Sequence, residues 1–214
     1  MTVSQTLGIS GEPGSFSEEA ASRYAASVGM TYEFVYLTDM EKVLAAVAEK
    51  RVDFGIFPVV NLRGGLVKMA FEAMGKYPFK LIDDLWLDVH QCLLIKKNFS
   101  IADICQVASH PQALAQCQTY LKTLHPIELI EWSDTAQAAK DLAEGKLAET
   151  TAVIAPARSA ELYGLEVVAS NIQDQQPNLT AFIIVKSTEN LHEIRHYRLW
   201  AIRKIMGKCL TAVW

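Results

Sequence analysis

Pro177-Asn178-Leu179-Thr180-Ala181-Phe182-Ile183-Ile184-Val185 carries a polar turn directly into an apolar strand. Proline and asparagine are turn residues, and a short apolar run bounded by turn signals reads as a buried strand. The strand arrives after a long alternation of strands and helices. That alternation predicts an α/β fold with largely parallel sheets, in two lobes, and the late strand is expected to return to the first lobe. Thr180 then stands at the first residues of a strand laid down last.

Working back from it, several segments place small polar side chains at strand ends or helix starts. A short strand over Thr6–Ile9 runs into Gly11-Glu12-Pro13-Gly14-Ser15-Phe16-Ser17-Glu18, where Ser15 or Ser17 caps a helix or the turn cradles an anion. The glycine spacing matches neither GxGxxG nor GxxxxGK[ST], so a nucleotide is not indicated. Phe54 to Val60 reads as a fully buried strand ending at Asn61-Leu62-Arg63-Gly64-Gly65. Asn61 is either a turn cap or a ligand contact, because ligands of open α/β sheets gather at the carboxyl ends of strands. Ser109-His110-Pro111-Gln112-Ala113-Leu114 opens a helix with Ser109 as the expected N-cap. If a strand feeds that helix directly, its first N–H groups suit a carboxylate. Ser133-Asp134-Thr135 caps a further helix, and Ala157–Tyr163 forms another that Gly164 stops.

Of the 214 residues, half are apolar and about a fifth are charged, with net charge −4. That balance argues against nucleic acid as a main partner. Four scattered cysteines without CxxC spacing read as reduced and mostly buried. No signal peptide is visible and no apolar run approaches membrane-spanning length, so a soluble cytoplasmic protein is expected. From about residue 190 to 209 the pattern is helical, with Leu191, Ile194, Ala201, Ile202 and Ile205 on one face and five basic residues elsewhere. A helix packed on its own domain or a partner subunit is preferred there over one lying on a membrane surface. His192 and His196 have i, i+4 spacing but no third ligand to complete a metal site.

Gly11-x-x-Gly14-Ser15-Phe16-Ser17-Glu18-Glu19-Ala20, Pro58-x-x-Asn61, Ser109-His110-Pro111-Gln112-Ala113-Leu114-Ala115-Gln116-Cys117, Thr135-Ala136-x-Ala138-Ala139, Ala160-Glu161-Leu162-Tyr163-Gly164-Leu165, Ile172-Gln173-Asp174 and Asn178-x-Thr180-x-Phe182 occur in that order. Together they resemble the catalytic domain of prephenate dehydratase over residues 6–186. The resemblance implies two α/β lobes like a type 2 periplasmic binding protein, with the active site in the cleft between them, and a homodimer or higher oligomer. It divides the chain into 1–88 with the returning strand 179–187, then 89–178, then a helical tail over 188–214, with no ACT domain following. It also makes Thr180 and Asn61 the central catalytic groups. Ser15, Ser109, His110, Gln112, Thr135 and Asn178 would bind substrate, with Phe182 packing on its ring.

Three positions depart from the family pattern. Its Thr-Arg-Phe motif is Thr180-Ala181-Phe182 here, and its Glu-Asn-Ser motif is Val60-Asn61-Leu62. A dehydratase must help a ring hydroxyl to leave, which needs proton donors. Val60, Leu62 and Ala181 remove donors and charge and are expected to make the pocket drier, which favours loss of CO2 with the hydroxyl retained. The resemblance therefore extends to the prephenate decarboxylases of bacilysin-like and aeruginosin-like secondary metabolism, which make a non-aromatic dihydro-4-hydroxyphenylpyruvate. A dehydratase forming phenylpyruvate for phenylalanine synthesis is the first alternative, and a catalytically inactive small-carboxylate-binding protein the second. No cofactor or metal is expected, because the cyclohexadiene itself accepts the electrons.

Overall fold

A computed structural model of the protein describes residues 5–188. The elements in chain order are β1 (Gln5–Ser10), α1 (Phe16–Val28), β2 (Tyr32–Leu37), α2 (Met40–Ala48), β3 (Phe54–Asn61), β4 (Gly65–Leu66), α3 (Lys68–Lys76) and β5 (Lys80–Asp88). Then come β6 (Cys92–Ile95), β7 (Gln106–Ser109), α4 (Pro111–Gln116), α5 (Gln118–Leu121), β8 (Glu128–Glu131), α6 (Thr135–Ala143), β9 (Thr151–Ala155), α7 (Ala157–Tyr163), β10 (Glu166–Ser170) and β11 (Leu179–Lys186). The helical tail expected at the C-terminus lies, from residue 189 onward, outside the described residues.

The chain divides into two compact units. Among the described residues the first holds 5–10, 17–87 and 179–188; the second holds 11–16 and 88–178. Residues 11–16 thus join the second unit although the strand before them and the helix after them belong to the first. The reason is local bonding. Ser159 Oγ donates to the Gly14 carbonyl at 3.0 Å, Tyr163 OH donates to the Pro13 carbonyl at 2.7 Å, and Lys140 pairs with Glu12 at 3.0 Å.

In the first unit the strand order is β2-β1-β3-β11-β5, with β4 attached to β3. β3 is almost continuously apolar, as a central strand covered on both faces must be. One face buries Phe57, Val59, Val60, Ala181, Ile183 and Val185 against Val43, Leu44, Val47, Ala70, Ala73 and Met74 of α2 and α3. Each fully buried Val, Leu or Ile contributes about 1.5–3 kcal/mol. The other face buries Ile56, Phe182 and Ile184. At Gly55 a Cβ would fall 2.6 Å from Val43 Cγ1 and 2.9 Å from Val47 Cγ2, so glycine is what lets α2 approach β3.

In the second unit the order is β10-β6-β9-β7-β8. Alternate residues divide cleanly between two cores. Leu94, Ala108, Val153 and Ala155 pack with Ala138, Ala139 and Leu142 of α6, while Leu93, Ile95, Val107, Ala152 and Ile154 pack with Ala113, Leu114 and Leu121 of α4 and α5. Gly164 adopts φ +69° and ends α7 as the sequence predicts.

The α/β class holds, but the sheets are mixed rather than largely parallel. β1–β2, β1–β3, β7–β8 and β7–β9 are parallel, whereas β3–β11, β3–β4, β6–β9 and β6–β10 are antiparallel. β11 enters the first sheet from the long return segment instead of from a helical crossover, and an antiparallel neighbour needs no crossover. Of the cysteines, Cys92 and Cys117 are buried as expected, but Cys105 is exposed.

Trp132 Nε1 donates to Asp141 Oδ2 at 3.0 Å and Lys146 Nζ to Oδ1 at 2.8 Å. Burial alone raises the Asp141 carboxyl, but hydrogen bonds from Lys146, Gln137 and Trp132 outweigh it and hold it below its ordinary value. A carboxyl lower in the folded than the unfolded state stabilises fully above the unfolded value of about 3.9, and that stability is lost as pH falls through the folded value. Replacing Asp141 by Asn is expected to flatten part of the stability loss as pH falls below the ordinary carboxyl value of about 3.9, read by denaturant unfolding. A second expectation is that Gly55→Ala destabilises the fold by about 1–3 kcal/mol through overpacking against Val43 and Val47, measured by urea unfolding.

Candidate active site

β3 carries a bulge opposite the start of β11. Ala181 pairs with Val60 and Phe182 with Pro58, so Val59 has no residue opposite it. Pro58 lacks an N–H for the ladder, and bulges are where an interior strand tolerates proline. The extra residue shifts side-chain parity. Phe57, Val59 and Val60 all face the α2–α3 core, and Asn61 is thereby moved to the opposite face, where its register partner Thr180 lies. Without the bulge Asn61 would point into the core.

Asn61 Oδ1 accepts the backbone N–H groups of Arg63 at 2.9 Å and Gly64 at 2.7 Å. Those two donors settle which end of the amide is oxygen, so Nδ2 is the atom that donates to Thr180 Oγ1 at 2.9 Å. The hydroxyl oxygen is an acceptor in this bond. Its proton is therefore free to donate elsewhere, and among the described residues no acceptor takes it. Asn61 is 4% and Thr180 8% exposed, so water competes weakly. Asn61 is thus turn cap and site residue at once.

A second polar group belongs to the other unit, at the carboxyl ends of β7 and β8. His110, not Ser109, is the N-cap of α4: its Nδ1 accepts the Gln112 N–H at 3.2 Å. That bond puts the proton of the neutral ring on Nε2. Ser109 is the last residue of β7, wholly buried, with its hydroxyl donating to the Ile154 carbonyl at 2.6 Å. β7 feeds directly into α4, which has six residues. Asp134 caps the nine-residue α6, with Oδ1 accepting from Ala136 N at 2.9 Å and Gln137 N at 3.0 Å. Thr135 follows it, 9% exposed, and its hydroxyl has no partner among the described residues. Burial pushes the Asp134 carboxyl above its ordinary value; the two N–H groups and His110 oppose this, and Glu12 adds to it.

The remaining expectations divide. Ser15 is buried in the 11–16 turn, where its N–H bonds to the Glu12 carbonyl at 3.2 Å. Gln112 is half-buried in the first turn of α4. Asn178 is 1% exposed and serves as a knot. Its N–H donates to Asp88 Oδ1 at 2.8 Å, Nδ2 donates to Gln116 Oε1 at 3.0 Å, and its carbonyl accepts from Val89 N at 2.9 Å. Phe182 is 1% exposed in the interior of its unit, so it does not present a ring to a substrate. Val60 and Ala181 pack in the α2–α3 core, on the face away from Thr180; only Leu62 is partly exposed. Val60 and Ala181 therefore do not share a face with Thr180. Alternation along the strand, reset by the bulge, is the reason. Asp134 was read from sequence only as one member of a capping triplet, and its neighbours Glu12 and His110 are too distant in the chain to have drawn attention to it.

A family model described as prephenate dehydratase matches residues 7–190. The chain belongs to this family. A relative, arogenate dehydratase 5, chloroplastic, of Arabidopsis thaliana, is 36% identical over 177 residues, covering 82% of this chain and 40% of the relative. The bifunctional chorismate mutase/prephenate dehydratase of Neisseria gonorrhoeae is 33% identical over 181 residues, covering 84% of this chain and 49% of that one. The chain therefore spans between two fifths and one half of the length of these curated relatives. In fold it is like the prephenate dehydratase from Arthrobacter aurescens solved in complex with L-Phe, with TM-score 0.76, 24% identity, and 87% of this chain and 61% of that chain covered. Among the described residues no three His, Cys, Asp or Glu side chains are placed to hold a metal, and no helix is long and apolar enough to cross a membrane.

Asn61→Ala leaves the Arg63 and Gly64 N–H groups without their acceptor and is expected to cost about 1–3 kcal/mol. Asn61→Asp keeps that acceptor and should retain most of the stability. Comparing the two by thermal unfolding checks the turn assignment.

Proposed function

We propose that the protein is a lyase acting on prephenate, and that it releases CO2 while the ring hydroxyl stays in place. The product is a dihydro-4-hydroxyphenylpyruvate, suited to antibiotic or peptide biosynthesis rather than to phenylalanine. The observation that carries this reading is the Asn61–Thr180 pair, a single neutral donor whose neighbours on both strands, Val60 and Ala181, are apolar and sunk in the core.

The family resemblance expects a glutamate and an arginine at those two neighbouring positions. Their effect here is subtraction. Val60 and Ala181 face the α2–α3 core and do not build a dry wall around a substrate; they leave the Asn61–Thr180 pair without an ionisable neighbour on either strand. Hydrogen bonds to charged groups contribute about 1.5–3 kcal/mol each, and about 1.36 kcal/mol is tenfold in rate. Loss of two such groups thus lowers the dehydration rate by roughly a hundredfold or more. Decarboxylation needs no help for a leaving hydroxide, only a proton for a ring carbon. Its electrons pass into the diene, and one oriented hydroxyl suffices to hold the substrate.

The dehydratase reading is favoured by a different observation, the names of the relatives, which are arogenate and prephenate dehydratases. Proton NMR of the purified protein with prephenate, and separately with arogenate, decides between the two. CO2 release with no aromatic signals beyond an enzyme-free control is expected. Phenylpyruvate or phenylalanine would sink the decarboxylase reading. Prephenate left unconsumed by a protein that binds it in calorimetry would indicate the inactive binding protein. Within the expected outcome, Thr180→Ala should abolish turnover with the fold intact. Asn61→Asp should do nearly the same, because a carboxylate facing Thr180 turns the hydroxyl proton inward.

A further inference from the structure

We propose that the groove between α2 and α3 of the first unit is the seat of this chain's own C-terminal segment, residues 190–209, docked through its apolar face. The inference is independent of the reaction the protein performs. The groove has a volume of about 330 Å³, at the small end of ligand-sized cavities, which run from about 300 to 1,000 Å³. Met40, Ala45, Met69 and Tyr77 supply its apolar surface, with Asp39, Glu41, Lys42 and Glu72 around them. Met69 is 62% exposed, and Leu66, just before α3, is 49% exposed. Methionine adapts to irregular partners, and an apolar groove along two helices suits an amphipathic helix. Among the described residues, the buried polar atoms left without a partner belong to Gln5, Gln91 and Gln173, and none of these lines the groove. It therefore lacks the desolvated polar anchors that orient a small ligand.

Charge selects the occupant. Asp39 holds Lys42 at 3.9 Å and Glu41 holds Lys76 at 2.7 Å, whereas Glu72 makes no ion pair among the described residues. Residues 189–214 contain five basic and two acidic side chains, a net +3, so in a chain of net charge −4 the remainder carries −7. A basic segment is thus drawn to the rest of its own chain. The sequence pattern puts Leu191 and Ile194 one turn apart on the apolar face, with Arg195 and Arg198 elsewhere on the same turns. Apolar contact with the two methionines drives the docking, and an arginine opposite Glu72 fixes its direction.

The chain also leaves the sheet in the right place. Lys186 ends β11 opposite Phe54, the first residue of β3. A Cβ on Gly55 would meet Val185 Cγ2 at 3.3 Å as well as Val43 and Val47 of α2. The last strand therefore ends against the inner side of the helix whose other side carries Lys42 and Ala45 into the groove. A helix is about 10–12 Å across with its side chains, and residues 187–190 span up to about 13 Å when extended. So short a tether gives the chain's own segment a high effective concentration at the groove, ahead of a second copy's.

Hydrogen exchange of the full chain tests this. Amides within 190–209 are expected to exchange at least about tenfold more slowly than those of an unstructured peptide. Met69→Glu changes an exposed side chain and should remove that protection while the amides of β3 and β11 keep theirs. Glu72→Lys, also on the surface, should speed exchange of the segment by roughly threefold. If Met69→Glu loosens β3 as well, Glu72→Lys decides alone. Exchange at the unstructured rate in the wild type overturns the proposal, as does protection that the groove variants leave untouched. Protection that falls on dilution in step with dissociation of a dimer gives the groove to a second copy's segment. Protection gained only on phosphatidylserine vesicles gives the segment to a membrane surface. Either of these overturns the own-chain seat.

Discussion

One hydrogen bond joins residues 119 positions apart, Asn61 and Thr180, and much of the first unit is arranged to permit it. Two strands must lie side by side in fixed register, and the side chains must share a face. The pleat of β3 as it leaves Gly55 would put residue 61 on the wrong face. A single unpaired residue at Val59, beside a proline that has no ladder hydrogen bond to lose, corrects it. Strand register is normally fixed because a one-residue slip turns every side chain over. Here that same rule is used once, deliberately placed at the end of the strand, to bring one polar residue out of the core.

The consequence for chemistry is a matter of polarity more than position. Asn61 is held by two backbone N–H groups, so its amide has one orientation, and Thr180 is left as a donor. Behind the pair lies a core of valine, isoleucine and alanine. A charged residue at position 60 or 181 would have to emerge from that core or carry a partner within it, since an unpaired buried charge is costly. The two apolar substitutions are therefore mutually consistent: they are register partners, and together they turn a polar strand pair into part of an ordinary core.

The second unit meets its polar demands differently. Its candidate groups sit on caps, where a side chain satisfies helix N–H groups first and offers what remains. His110 is left with one N–H and Asp134 with one oxygen, while the Ser109 hydroxyl donates to the Ile154 carbonyl and the Asn178 amide nitrogen to Gln116. Capping therefore leaves a second polar atom to spare on the imidazole of His110 and the carboxyl of Asp134, as it does on the amide of Asn61.

The sequence by itself determined the α/β class, the approximate position of most helices and strands, and the family, because apolar periodicity and turn residues act locally and seven short motifs recur in order. It also named Asn61 and Thr180 as central. It did not determine which side chains face a ligand. Ser109 and Phe182 were expected to touch substrate and Val60 and Ala181 to alter the pocket, and all four are interior. Their direction depends on a bulge set by strand pairing over more than a hundred residues and on a cap that passed from Ser109 to His110. Asp134 gained its character only from burial and from neighbours distant in the chain, Glu12 and His110. Local propensity writes the elements; pairing and burial decide what each side chain is exposed to.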